Sequence, residues 1–126
     1  MGYRSDVMAA FYVKDAKHLP MLKLWLTENF PLDMFADEIR WFDRGMLVEA
    51  SNVKWYDDFD DVKAFNAAAD KYGGLIYMDA TGGDDPPKFS YEFVRIGESY
   101  DDVDTQYEGD ACEWILGVNR SISVEV

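Results

Sequence analysis

The side chains able to do chemistry are unevenly supplied. His18 is the only histidine and Cys112 the only cysteine. A histidine general base or a nucleophile–histidine triad would have to use His18. It stands at a helix start beside Pro20, near Lys14 and Lys17, with no serine or cysteine close by in sequence. It therefore reads as a surface or helix-capping residue. Cys112 lies among acids and close to Trp114. A reactive thiolate needs an electropositive setting, so Cys112 reads as a small buried hydrophobe. A single cysteine excludes an intramolecular disulfide and a cysteine-based zinc site within the chain, which makes the reducing cytoplasm the expected compartment.

Carboxylates are abundant by contrast. The segment 98–113 carries Glu98, Asp101, Asp102, Asp104, Glu108, Asp110 and Glu113 and no basic residue. Clustered oxygens suit hard divalent cations. The calcium-loop spacing fails, however: counted from Asp102, the position that requires glycine is Tyr107. No metal and no cofactor is expected, and the segment reads as an acidic loop, either simply solvated or a docking surface. In the stretch 55–61, Asp57, Asp58, Asp60 and Asp61 surround Phe59 at a helix start. Caps and a favourable helix dipole explain them, and an aromatic set among charges also suits an interface anchor. Asp84 and Asp85 occupy a glycine-rich loop where a phosphate cradle would need to attract an anion, and GxxxxGK is absent. Two acids at a fixed separation could hydrolyse a glycoside. With 25 acids in the chain some pair will always qualify, so that signal carries nothing. No catalytic residue is expected. The candidate partner-binding residues are Asp57, Asp58, Asp60, Asp61, Asp84, Asp85, Glu98, Asp101, Asp102, Asp104, Glu108 and Asp110. Arg4, Arg40 and Arg95 fall within predicted strands and read as structural ion-pair partners.

These residues need a scaffold, and the chain is long enough for one. Its 126 residues fit a single domain, with 48% hydrophobic and 16% aromatic content, well above a disordered acidic chain. The formal charge is −13, from 12 basic and 25 acidic residues. Residues 1–56 hold eight acids and seven bases, a net of −1, and residues 57–126 hold seventeen acids and five bases, a net of −12. Direct binding to nucleic acid or to anionic lipid is disfavoured, because both need basic residues. The start lacks the apolar core of a signal peptide. The apolar run Met8–Val13 falls far short of the roughly 20 residues that cross a bilayer.

Residues 3–14 alternate as a strand. A helix is predicted from Asp15 or His18, with Pro20 in its first turn, a stripe of Leu19, Leu22 and Leu26, and an end at Phe30-Pro31. Residues 31–38 read as a short turn. Residues 38–53 read as a hairpin around Asp43-Arg44-Gly45, with Gly45 at a positive-φ turn position. A second helix is capped by Asp57 or Asp58, carries Val62, Phe65, Ala69 and Tyr72 on one face, and stops at Gly73-Gly74. Residues 74–80 are the next predicted strand, followed by a loop at 81–87. Further strands are expected around 89–97, around 103–107, and once or twice between Cys112 and the end of the chain. The order β-α-β-β-α-β followed by extra strands is the ferredoxin-like order. The expected fold is α+β, a largely antiparallel sheet with two helices on one face.

The start GYRSDV, the stretch VKWYDDFDDV (53–62) and the stretch FVRIGESYDDV (93–103) together resemble a group of small, uncharacterised bacteriophage and prophage proteins. That resemblance implies phage origin and expression inside a bacterial host, and it supplies no catalytic residues. Charge and resemblance together lead to the expectation of a non-enzymatic protein that docks on a basic surface of a host protein. Inhibition of a nucleic-acid-binding or defence protein by imitating nucleic-acid charge would be one form of this. The alternative is a self-associating assembly protein or homodimer, suggested by an aromatic content that a small core could not easily hide. A metal-assisted enzyme ranks below both.

Overall fold

The structure is a computed structural model that describes residues 4–76, 87–99, 101–109, 114–118 and 122–124. Along the chain run β1 (Ser5–Val13), a single 3₁₀ turn (Ala16–His18), α1 (Leu19–Asn29), β2 (Ile39–Phe42) and β3 (Gly45–Val53). They are followed by α2 (Asp60–Ile76), β4 (Phe89–Gly97), β5 (Val103–Gly109), β6 (Leu116–Val118) and β7 (Ile122–Val124). Strands β1 to β5 form one sheet in the order β2-β3-β1-β4-β5, and every neighbouring pair is antiparallel. The fold is α+β, and its first six elements run β-α-β-β-α-β. Because β3 lies between β1 and β2, the first helix makes a split crossover.

Strand alternation divides the side chains between two cores. Ala9, Phe11 and Val13 of β1, Met46 and Val48 of β3, and Phe89 and Tyr91 of β4 face the helices. There they meet Leu22 and Leu26 of α1 and Phe65, Ala68 and Tyr72 of α2. Ala10, Tyr12, Leu47 and Val94 face the other way, against Ile115, Leu116 and the β6–β7 hairpin. β1 is central and covered on both faces, so Ala9 through Val13 are all fully buried. That double burial explains why its sequence is apolar at consecutive positions rather than alternating with polar residues.

Local chemistry sets the boundaries. Asp15 accepts the Lys17 N–H at 3.1 Å and caps the 3₁₀ turn; His18 is the N-cap residue of α1, Pro20 stands in the first turn, and Phe30 ends the helix in extended backbone. Residues 32–38 form consecutive turns; Met34, Phe35 and Glu38 N–H each bond the carbonyl three residues back, such as Phe35 N–H to Leu32 C=O at 3.2 Å.

Four expectations are corrected. First, α2 does not stop at Gly73-Gly74 but runs on to Ile76, because Leu75 and Ile76 continue the face that packs on the core. Their packing outweighs the roughly 1 kcal/mol that a helical glycine costs. Second, residues 74–76 of the predicted strand 74–80 are therefore helical, and residues 77–80 lie outside the described residues; β4 is instead Phe89–Gly97. Third, α2 begins at Asp60, and Lys63 N–H bonds Phe59 C=O at 2.9 Å, so Asp57 and Asp58 lie in the preceding turn and are not its caps. Fourth, Gly45 has no positive φ. It is needed because a Cβ there would strike the Phe11 carbonyl oxygen and approach Tyr12 Cα to 2.6 Å. Among the described residues the glycine with positive φ is Gly109, at 110°, where a Cβ would also lie 2.5 Å from the Phe89 carbonyl oxygen.

Gly45→Ala and Gly109→Ala should each lower stability by about 2 kcal/mol or more, read from urea denaturation at constant m. Gly74→Ala, with nothing within 4 Å of its Cβ position, should instead stabilise by up to about 1 kcal/mol.

Candidate functional site

On the helical side, α2 leaves the outer part of the sheet uncovered, and two clefts lie there. The larger, about 410 Å³, is lined by Trp55, Tyr56, Asp57, Asn66, Phe93, Arg95, Asp102 and Asp104. The second, about 280 Å³, adds Asp70 and Gly73 of α2, Tyr91 of β4, and Gln106 and Glu108 of β5. Asn66 and Phe93 line both. The α2 residues Asn66, Asp70 and Gly73 follow helical spacing, and the β5 residues Asp104, Gln106 and Glu108 follow strand alternation. Each row therefore presents one face of its element to the clefts. The aromatic wall is packed on the core: Trp55 lies edge-on to Phe65, with centroids 5.3 Å apart, and 6.2 Å from Phe93.

Arg95 organises the wider end. Its guanidinium donates to Asp102 at 2.6 Å, to Asp104 at 2.8 Å and to the Ser5 hydroxyl at 3.0 Å. It ties β1, β4, β5 and the intervening turn together. The Arg95 side chain is 15% exposed, Asp102 31% and Asp104 63%. Hydrogen bonding to Asp102 holds the guanidinium pKa above its already high ordinary value, against the opposing effect of burial. Two carboxylates on one cation leave this end net negative. Arg40 pairs with Glu49 at 3.0 Å, and Arg4 donates its guanidinium to the Asn52 carbonyl at 3.2 Å. The ion-pair reading thus holds for Arg95 and Arg40, whereas Arg4 contacts a backbone oxygen.

The predicted acids are partly gathered. Asp57, Asp102, Asp104 and Glu108 line the clefts. Glu98 turns away and accepts the Arg4 N–H at 2.7 Å. Asp58, Asp60, Asp61 and Asp101 are exposed, and Asp61 accepts the Val62 N–H at 2.8 Å. Asp84, Asp85 and Asp110, together with Cys112, lie outside the described residues. Among the described residues no three His, Cys, Asp or Glu side chains are grouped so as to hold a metal ion. None of their helices is long and apolar enough to cross a membrane.

Asn66, Asp70, Phe93 and Gln106 were not singled out from sequence. The i, i+4, i+7 spacing of Asn66, Asp70 and Gly73 could have flagged the α2 face. Nothing local could have flagged Glu92, which is fully buried on the hairpin side. It accepts from the Tyr12 hydroxyl, from Ile115 N–H at 3.1 Å and from Leu116 N–H at 2.8 Å. These partners are all donors, so Glu92 acts as an acceptor that seats the hairpin. Nothing in this arrangement supplies an open reacting position.

Burial raises the pKa of the Tyr12, Tyr72 and Tyr91 hydroxyls, with added repulsion from Glu92 at Tyr12 and from Glu108 and Asp70 at Tyr91. In the unfolded chain these groups ionise near pH 10. Their folded values lie higher, so their stabilisation is whole below about pH 10 and is lost as pH rises further. Denaturant titrations should show stability falling above about pH 10. Tyr91→Phe should flatten that fall by about 1.4 kcal/mol per pH unit; an unchanged slope would place the Tyr91 hydroxyl in water. Set against known proteins, the chain matches no family model, no curated protein and no solved structure.

Proposed function

We propose that this is a non-enzymatic, phage-type protein that works in the bacterial cytoplasm by docking its acidic half on a basic surface of a host protein. The observation that supports this most is the meeting of two acidic segments that are distant in sequence. Asp57, just before α2, lines the same cleft as Asp102 and Asp104. Three of the carboxylates behind the net −12 of residues 57–126 thus share one cleft. Charge of one sign gathered around a concave, low-dielectric surface raises the rate of encounter with a complementary partner, and the effect fades with salt. Trp55, Tyr56 and Phe93 in the same wall offer apolar area that charge alone would lack. A host protein that ordinarily grips nucleic acid presents the fitting surface, and inhibition by charge imitation would follow from occupying it.

Self-association has less to rest on. Among the described residues most aromatics pack in the helix-side core, where Phe11 alone contacts Phe30, Phe65, Tyr72 and Tyr91. Trp41, Phe59 and Trp114 are the described aromatics that stand out as exposed.

The test is affinity capture from bacterial cells at two salt concentrations, followed by association kinetics with the identified partner. Asp57→Asn, Asp58→Asn and Asp101→Asn combined remove exposed charge without touching the Arg95 ion pairs. The variant should associate about tenfold more slowly at low salt and converge on the parent at high salt. Capture of no basic partner at low salt would overturn the proposal.

A further inference from the structure

We propose, resting on that reading, that the outer edge of β5 takes an extended basic segment of the partner as an added strand, with lysine or arginine at alternate positions. β5 is the last strand on its side of the sheet, and no described residue pairs with its outer edge. Val103 through Gln106 are exposed, and the strand spans Val103–Gly109. An open edge of this length presents a row of backbone N–H and C=O groups to solvent. Strand addition uses that row for affinity and the alternating side chains for specificity.

The side-chain pattern states which strand fits. Asp104, Gln106 and Glu108 stand opposite Arg95, Phe93 and Tyr91 of β4 and line the two clefts. Successive groove-facing positions on a strand are about 7 Å apart. A strand laid alongside would set every second side chain next to this row. Lysine or arginine at those positions would meet Glu108 and the outer side of Asp104, which Arg95 already engages from β4 at 2.8 Å, with Gln106 between them able to donate or accept. Gln106 already donates to Glu108 at 3.0 Å, which holds the row in order.

The same pattern rejects the other obvious occupant, a second copy. Antiparallel pairing of two β5 strands centred on Gln106 would put Asp104 of each opposite Glu108 of the other, and like charges directly opposite destabilise a ladder. The β2 edge offers less: it spans only Ile39–Phe42 and belongs to the nearly neutral half of the chain. The acids of β5 thus block self-pairing and favour a basic strand by the same physics.

The test uses the full chain and labelled synthetic peptides long enough to span β5, read by fluorescence anisotropy at low salt. One peptide alternates lysine and threonine; a second has the same composition with its lysines in one block. Two more are the alternating peptide with every second backbone amide N-methylated, in either phase. The alternating peptide should bind about tenfold more tightly than the block peptide. Methylation in one phase should cost a further tenfold or so and in the other phase little, because only one row of amides faces the sheet. Equal binding of alternating and block peptides, or indifference to methylation in both phases, would overturn strand addition while leaving a basic partner docked by charge alone. Binding of no lysine peptide would overturn the inference too, and capture of a basic protein from cells then judges the broader reading separately.

Discussion

Glu92 is a fully buried carboxylate in the middle of the sheet, and the hydrogen bonds it accepts reach two other elements. Tyr12 donates from the central strand, and Ile115 and Leu116 donate from the start of the hairpin. A buried polar group without partners costs about 1–3 kcal/mol, and more if charged. Glu92 therefore cannot be accommodated until the hairpin lies over it, and the hairpin's first amides cannot be buried without Glu92. The two conditions are met together or not at all. Once met, they cover Ala10, Leu47 and Val94, which would otherwise leave an apolar face open to water. Tyr12 adds a second connection: its backbone carbonyl accepts from the Tyr72 hydroxyl of α2 at 3.2 Å, and the Arg44 guanidinium lies over its ring at 5.3 Å. One residue of β1 thus links both layers that sandwich the sheet.

Arg95 plays the matching part on the helical face of the same strand. It lies three positions along β4 from Glu92, so strand alternation puts the two side chains on opposite faces. Glu92 is a fully buried acid that gathers donors. Arg95 is a lone base that gathers acids at a half-open edge, where water still screens them. The first arrangement favours one rigid structure, because removing any partner strands a buried group. The second is weaker per bond, as solvated ion pairs are, but it fixes the position of Asp102 and Asp104 at the mouth of the cleft.

Much of this architecture could be read from the chain. The strand expected at 3–14, the helix ending at Phe30-Pro31, the hairpin at 38–53 and the strands around 89–97 and 103–107 follow from local alternation, proline and turn chemistry, and they correspond to β1, α1, β2–β3, β4 and β5. The errors have long-range causes. Gly73-Gly74 looks like a stop because the signal is local, whereas Leu75 and Ile76 are held by a core assembled from the whole chain. Gly45 looks like a turn glycine, yet what excludes a side chain there is the backbone of β1, some thirty residues away in sequence. Glu92 alternates with Tyr91 and Phe93 as a solvent-facing residue of a half-buried strand would, and only the hairpin more than twenty residues later changes its surroundings. The acidic cleft was legible in part: the acids were conspicuous, but that Asp57 would meet Asp102 and Asp104 depends on the crossover that lays α2 beside β4.

The sheet's two edges are then not equivalent. The β2 side belongs to the nearly neutral half of the chain and is closed by a strand of only four residues. The β5 side belongs to the half with net charge −12 and presents a longer strand whose cleft-facing row is Asp104, Gln106 and Glu108. An open edge invites uncontrolled pairing, and charged residues are one way that proteins suppress it. On β5 that protection lies beside clefts walled by Trp55 and Phe93, where shielding alone would not call for aromatic surface. In the proposed docking, the same carboxylates that would oppose pairing of two copies would lower the energy of a cation brought beside them. Protection from self and attraction of a basic partner are therefore one electrostatic property of this edge, and the partner's sign of charge decides which of the two is expressed.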